Sequence, residues 1–388
     1  MSTRLPEDAE GTAEPVAIVG AGIAGLTAAL AFARAGTAVV LHERAPRIEP
    51  VGAGIQLSAN ALRVLDRLGV LEALRPKGVA ARSVALRSAF GGRVLAEVPV
   101  TSADGVGYLA IHRADLQECL LNAVRAAPLV RLRLASEFER AVPTTGGVRL
   151  SFREGSGETR HESAALVVGA DGVRSAVAAS LGLPPHCDTG LVATRLRAVN
   201  EAARPFERIE AWLGPRRHAV AYPMEGGRSV NVVLIGPADD LAGTLRGYAR
   251  WDSGLRALLD RSEAVGTWPL LTSEAKRNLV QGPNTVLIGD AAHAVLPFAA
   301  QGAAMAIEDA YVLAGRLAGV KSTEVAHSLQ LFQAQRQERL GRVRARVRFH
   351  HFVYHLPRPF SFGRDAALAL RAPNSLRNDL AWLYDWRP

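Results

Sequence analysis

Three short runs of this chain carry residue types that can do chemistry. In the first, Gly289-Asp290-Ala291-Ala292-His293-Ala294-Val295-Leu296-Pro297-Phe298-Ala299-Ala300-Gln301-Gly302-Ala303-Ala304 joins the apolar run Thr285–Ile288 to the helical pattern Ala304–Leu317. A strand, an acidic turn and a helix start in this order surround a ligand with one carboxylate and with unpaired backbone N–H groups. Gly302 lets that ligand approach the backbone, and the N–H groups opening the helix favour negative charge. The second run, Gly20-Ala21-Gly22-Ile23-Ala24-Gly25, lies between the apolar Val16–Val19 and the alanine-rich Leu26–Ala35. The strand pattern Thr37–Leu41 then leads to Glu43 and Arg44. Strand, glycine turn, helix and a second strand with a terminal acid form the dinucleotide-binding pattern. Gly20, Gly22 and Gly25 bring the backbone to a pyrophosphate, Glu43 accepts from a ribose hydroxyl, and Arg44 helps to hold the adenosine half. The third run is His218-Ala219-Val220-Ala221-Tyr222-Pro223. Period two along a strand puts His218, Val220 and Tyr222 on one face, where a histidine can take a phenolic proton and a tyrosine can hold the same oxygen. The alternative for His218 is a surface position beside Arg216 and Arg217.

Gly20–Gly25 with Glu43, Asp171-Gly172 within Val167–Ser175, and Gly289-Asp290 occur in this order. Together they resemble the group A flavoprotein monooxygenases, the single-component aromatic hydroxylases, from Val16 to the C-terminus. The resemblance implies a bound FAD, with NADH or NADPH as a transient co-substrate, because no second glycine fingerprint with its own strand and helix is present. It places Arg113, in Ile111–Leu116, near the flavin phosphates and ribityl chain; the alternative there is a helix-start ion pair with Asp115. It makes Asp290 the acceptor for the ribityl or pyrophosphate region, and it turns the N–H groups of Gly302 and Ala303 toward the N1 and C2 end of the flavin. Asp171 takes a supporting role around the pyrophosphate, and His293 a structural one. Gln301 and Pro297 approach from the flavin side, Gln301 joining His218 and Tyr222 as catalytic and Pro297 touching substrate. Gln56 is a further contact to substrate or flavin.

The reaction so implied inserts one oxygen atom of O2 into a phenolic or heteroaromatic ring, of hydroxybenzoate, salicylate or hydroxynicotinate type, through a C4a-hydroperoxyflavin. The C-terminal Leu380–Trp386 resembles the ending of salicylate and 3-hydroxybenzoate hydroxylases. Monooxygenation of a larger polycyclic or quinolone ring, and a flavin-dependent reductase or dehydrogenase, remain alternatives. A substrate carboxylate would require a cation, and the sequence leaves Arg82, Arg87 and Arg195 open.

The elements that position these residues follow from the need for the glycine loop and the Asp290 loop to meet on one flavin. The expected architecture is α/β: a discontinuous Rossmann-like FAD-binding domain from residues 15–80, 110–190 and 270–345, after a disordered tail at 1–14. A mixed β-sheet substrate domain from 81–109 and 191–269 is inserted, with short strands at Ser83–Arg87, Arg93–Val100, Ala193–Val199, His218–Pro223 and Ser229–Ile235. A long helix, Ser328–Phe352, leads into a C-terminal helical cap at 346–388.

The chain has 388 residues, 48% hydrophobic and 21% charged, which suits a globular protein with a large core. Its net charge of +9 is almost all arginine, with lysine only at 77, 276 and 321. The run Arg336, Arg339, Arg342, Arg344, Arg346 and Arg348 is read as a solvated helix face rather than a nucleic-acid or membrane surface, since no aromatic stacking motif accompanies it. Cys119 and Cys187 lack metal-ligand spacing; no metal is expected, and both are read as buried small residues in a reducing compartment. No secretory signal or membrane span is expected, which makes the expected location cytoplasmic. The expected assembly is a monomer or homodimer.

Overall fold

Val16–Val19 is apolar and buried at every position, the composition of a parallel strand covered on both faces. In the computed structural model, which describes residues 14–49, 52–200, 208–274 and 277–387, this strand is the centre of a five-stranded parallel sheet. The order is Thr285–Leu287, Leu166–Gly169, Val16–Val19, Val39–His42, Val130–Arg133. The expected tail at 1–14 lies, Glu14 apart, outside the described residues. The chain builds from the centre to one edge and only then to the other, so the order reverses between Val16–Val19 and Leu166–Gly169. Open parallel sheets bind ligands outside the carboxyl ends of the strands at such a reversal. Gly20, Glu43, Asp171 and Gly289 all follow carboxyl ends of these strands.

Helix Ile23–Arg34 is buried on nearly every side because its alanines let it lie close to the sheet and to helix Gly302–Leu317. Gly25 is required at its first turn, where a Cβ would run into the carbonyl oxygen of Gly20.

A seven-stranded mixed sheet faces this unit, in the order Ser262–Thr272, Cys187–Val199, Ser229–Pro237, Arg217–Met224, Ile209–Gly214, Ser83–Ser88, Val94–Pro99. Its outer face closes a second core built on Trp212, Tyr248, Trp251, Leu255 and Leu258. Its inner face carries His218, Val220 and Tyr222, so both faces of the central strands are buried and the alternation is chemical rather than apolar against polar. Two three-stranded sheets complete the β structure: Gly54–Leu57, Tyr108–His112 and Val79–Ala81, and Ser136–Pro143, Val148–Glu154 and Thr159–Ala164. The second of these has no counterpart in the sequence reading. Cys119 is buried as expected, whereas Cys187 is exposed at the start of its long strand.

The long helix runs over Val325–Tyr354 and is followed by Phe360–Ala369, Pro373–Asn378 and Ala381–Tyr384. Here the arginine run departs from the expected solvated face. Arg336 is fully buried and Arg339 nearly so. Arg336 binds Glu308 at 2.8 Å and Asp309 at 2.7 Å, and Arg339 binds Glu308 at 2.8 Å. Two acids on the buried face of the alanine-rich helix Gly302–Leu317 draw these arginines into the core. Arg342 stacks over Trp382 at 4.4 Å, and Arg346 donates to the Asp379 carbonyl at 2.7 Å.

Removing one member of a buried ion cluster leaves uncompensated charge in low dielectric and destabilises by about 3–5 kcal/mol. Arg336→Met is expected to lose stability on that scale in denaturant unfolding. A loss below about 1 kcal/mol, the level of an exposed pair, would contradict the placement.

Candidate active site

A cleft of about 790 Å3 lies between the parallel sheet and the inner face of the seven-stranded sheet. Gly20, Gly22, Glu43 and Arg44 line one end. Gly20 has φ +100°, and a Cβ there would stand 2.7 Å from the Ala170 carbonyl oxygen, so only glycine keeps this floor flat. Glu43 Oε2 accepts from the Ala21 N–H at 2.8 Å and Oε1 from the Ala45 N–H at 3.0 Å. Both oxygens are thereby fixed and still have lone pairs for a hydroxyl. Behind them His42 stacks on Phe152 with ring centroids 3.7 Å apart, and burial, then Arg133 and Arg160, lower its pKa to about 3.

Arg113, Asp171, Asp290, Gly302 and Ala303 line the middle of the cleft. Asp171 Oδ2 accepts from the Val177 N–H at 3.1 Å, while its buried Oδ1 has no partner among the described residues. The expected alternative for Arg113 does not occur: Asp115 faces Lys77 at 3.7 Å, and Arg113 points into the cleft. Burial pushes its guanidinium pKa down while Asp290 pulls it up. Gly52, at φ +122°, lets the Arg113 side chain pass, since a Cβ would lie 3.0 Å from Arg113 Cδ. A glycine floor, an orphaned carboxylate oxygen, a cation beside an acid, and the opening N–H groups of helix Gly302–Leu317 form a donor and acceptor set that fits FAD.

His218, Val220, Tyr222 and Arg195 line the cleft as well, as do Gln56 and Pro297. His218 is 1% exposed, which excludes a surface position beside Arg216 and Arg217. Burial, then the neighbouring His355, His351 and His350, hold its pKa well below the ordinary value, so the ring is neutral and one of its nitrogens is an acceptor. Its Nδ1 is hydrogen-bonded to His355 Nε2 at 2.9 Å. Tyr222 packs against Gly54, where a Cβ would lie 2.6 Å from its Cε2, and burial raises its phenol pKa so that it stays a donor. Of the three arginines left open, Arg195 alone lines the cleft. Its Nε has no hydrogen-bond partner among the described residues, and Trp268 lies 5.4 Å from its guanidinium carbon. Arg87 instead binds Glu210 at 2.9 Å and the Gly92 carbonyl at 2.7 Å.

Gln301 is where the sequence reading and the geometry part. It is buried and does not line the cleft: its amide donates to Ser58 Oγ at 3.0 Å and accepts from Asn60 Nδ2 at 3.2 Å. With both ends of the amide spent on helix Ala59–Arg67 and its cap, Gln301 braces the loop that carries Pro297. Asn60 continues to Glu308 at 2.7 Å. His293 is held by Asp309, whose Oδ2 also accepts from the Gly289 N–H at 3.0 Å. Ser58, Asn60, Glu308 and Asp309 escaped the sequence reading; the one signal was an adjacent pair of acids in an alanine-rich helix.

The family model described as FAD binding domain matches residues 13–349. The chain belongs to this family of FAD-dependent aromatic monooxygenases. The 3-amino-4-hydroxybenzoate 2-monooxygenase of Streptomyces cremeus is 34% identical over 392 residues, covering 95% of this chain and 94% of that protein. The 3-hydroxybenzoate 6-hydroxylase of Polaromonas naphthalenivorans (strain CJ2) is 30% identical over 393 residues and 96% of both chains. A salicylate hydroxylase solved as a substrate complex shares the fold, with TM-score 0.80 at 22% identity over 97% of this chain and 96% of that one. The expected α/β fold and FAD are thereby supported, and the chain is an FAD-dependent aromatic hydroxylase. Among the described residues no helix is long and apolar enough to cross a membrane, and no cluster of metal-ligating side chains occurs.

Gly25→Val is expected to give a hydroxylase that purifies with at most about a tenth of its FAD, since the side chain meets the Gly20 carbonyl; full flavin content would contradict the assignment. The buried histidines set a second expectation. His42, at about 3, and His350 and His355, each at about 4, bind protons in the folded state only well below the ordinary 6.5. Between those values the unfolded chain binds more protons, so stability falls as pH drops. The melting temperature should decline progressively from pH 6.5 to about 4, and a flat profile over that window would contradict neutral burial.

Proposed function

We propose that this monooxygenase hydroxylates a carboxylated phenol with NADH or NADPH as electron donor, in the cytoplasm where those coenzymes are regenerated. The observation that carries the reading is the juxtaposition of a neutral His218, a protonated Tyr222 and the cleft-lining Arg195 across from the start of helix Gly302–Leu317. FAD, when bound, supplies hydride acceptance and oxygen activation.

The protein's own residues do the rest. Gly20, Gly22, Gly25, Glu43, Arg44, Arg113, Asp171 and Asp290 would hold and orient the cofactor, and the N–H groups of Gly302 and Ala303 would stabilise negative charge on it. His218 Nε2 takes the phenolic proton, which raises electron density at the ring carbons ortho and para to the oxygen. Tyr222 donates to the oxygen so formed. Arg195 pairs the carboxylate, a role for which a cation without a carboxylate partner among the described residues is suited. Gln56 and Pro297 shape the wall between substrate and flavin. The apolar part of the cleft, Val220, Val233, Leu86 and Phe298 among others, keeps water from the reacting carbon. The names of the relatives, an aminohydroxybenzoate and a hydroxybenzoate hydroxylase, support a carboxylated phenol over a larger ring system.

The test is coenzyme oxidation by the FAD-loaded enzyme against a panel of hydroxybenzoates and aminohydroxybenzoates, with catalase present to separate peroxide release from product. Stimulation with matching product formation is expected; coenzyme oxidation indifferent to every phenol would contradict the reading. Arg195→Met is expected to raise KM for a carboxylated substrate about 10- to 100-fold, the loss of one charge-assisted contact, with a smaller change for the phenol lacking the carboxylate. Equal effects on both would remove Arg195 from that role.

A further inference from the structure

Behind His218 the long helix places three more histidines. His350, His351 and His355 lie on Val325–Tyr354 and its C-cap, around Phe298 of the Pro297–Ala299 turn. His350 Nδ1 is 3.0 Å from the Phe298 carbonyl, which fixes that ring as a donor to the turn. His351 stacks on Phe298 at 4.7 Å and meets His355 edge-on at 4.9 Å. His355 alone reaches His218, through Nε2 to Nδ1 at 2.9 Å. No other hydrogen bond of the His218 ring occurs among the described residues, so its Nε2 is left to the cleft. His355 is half-buried, and its Nδ1 is bound to no described residue.

Two neutral imidazoles joined by one hydrogen bond, one with a lone pair toward the cleft and the other reaching the outside, have the connectivity of a proton wire. Resting on the phenol reading above, we propose that His355 is the proton-relay residue of this enzyme, carrying the substrate's phenolic proton from His218 to solvent. The phenol O–H bond breaks and its proton joins His218 Nε2. The His218 Nδ1 proton passes to His355 Nε2, and the His355 Nδ1 proton leaves to water. The substrate is left as phenolate, both rings return to neutrality with their tautomers exchanged, and no electron changes hands.

The surroundings favour passage over storage of the proton. The groups that face the pair are His350, His351 and Tyr354 from the long helix, Tyr222 on the strand of His218, and Tyr248, whose hydroxyl donates to the His218 carbonyl at 3.0 Å. Arg217, next in the strand, turns to the opposite face beneath Tyr248, 5.9 Å from its ring. The adjoining strands offer apolar Leu213 and Ile235, and the Pro297–Ala299 turn offers Phe298. Among the described residues no carboxylate stands there to trap an imidazolium on His218. His355 differs from His218 in sitting at the C-cap of a 30-residue helix, where the unpaired carbonyls favour a transient positive charge.

The test uses full-length FAD-loaded enzyme, mixed anaerobically with 4-hydroxybenzoate while phenolate absorbance is followed by stopped flow. His355→Gln keeps an acceptor for His218 Nδ1 but cannot carry a proton; His355→Phe removes both. FAD content and melting temperature establish that each variant is folded. The proposal expects both variants to form phenolate about tenfold or more slowly, with the rate restored by added imidazole and newly dependent on buffer concentration. A His355→Gln enzyme as fast as the parent, with only His355→Phe impaired and no imidazole rescue, would reduce His355 to a prop and overturn the relay. His218→Ala separates the two levels: phenolate formation unaffected by its loss overturns the phenol reading itself, and the relay with it.

Discussion

The buried charge cluster Glu308, Asp309, Arg336 and Arg339 is the constraint on which the rest of the site depends. Burial alone would push the Asp309 carboxyl upward, but His293 and Arg336 hold it well below the ordinary carboxylate range, so it is a fixed anion in the core. Every remaining valence of the cluster is spent on a segment that touches the cleft. Asp309 holds the backbone of Gly289 and the ring of His293, and so sets the loop that presents Asp290. Glu308 holds Asn60, and through Asn60 and Ser58 the Gln301 amide beneath Pro297. Arg339 donates to the carbonyls of Trp382 and Leu383 at 2.8 and 3.0 Å, which docks the C-terminal segment. Such clusters are weak sources of net stability, yet they tolerate only one arrangement because any displacement leaves a buried charge unpaired. Here that intolerance fixes where four distant pieces of chain meet around a flavin.

Desolvation does different work at the substrate end. The same burial that makes a charged histidine unfavourable keeps His218 neutral, with a ring nitrogen open as an acceptor, and makes ionised Tyr222 unfavourable, so it remains a donor. One physical effect thus produces an acceptor and a donor two side chains apart on a single strand face. Arg195 is the exception, a cation that borders the cavity with an aromatic ring and, among the described residues, no anion, and its charge awaits a complement.

Sequence reading reached those parts of the site whose partners are local or periodic. The glycine loop, Glu43 and the Asp290 turn are legible because each is a strand end followed by its own turn and helix. His218 and Tyr222 are legible because a strand has period two. The ion cluster was not, since Arg336 and Glu308 carry no pattern that pairs them; an arginine every second or third residue reads equally as a solvated face. Gln301 failed for the same reason: proximity in sequence to Gly302 says nothing of Ser58 and Asn60, which take both ends of its amide. His355 lies on an element whose approach to the seven-stranded sheet is set by tertiary packing alone. Arg195 could be narrowed to one of three but not chosen, because strand parity does not report which face a cofactor covers.

The central claim is that this cleft joins a flavin to a carboxylated phenol so that oxygen enters the ring. The most direct measurement is turnover of the hydroxybenzoate and aminohydroxybenzoate panel under 18O2, with mass analysis of the products. The account requires a hydroxylated ring carrying one labelled oxygen per molecule of coenzyme oxidised. Product formed without label, or turnover that proceeds anaerobically with another electron acceptor, would contradict it.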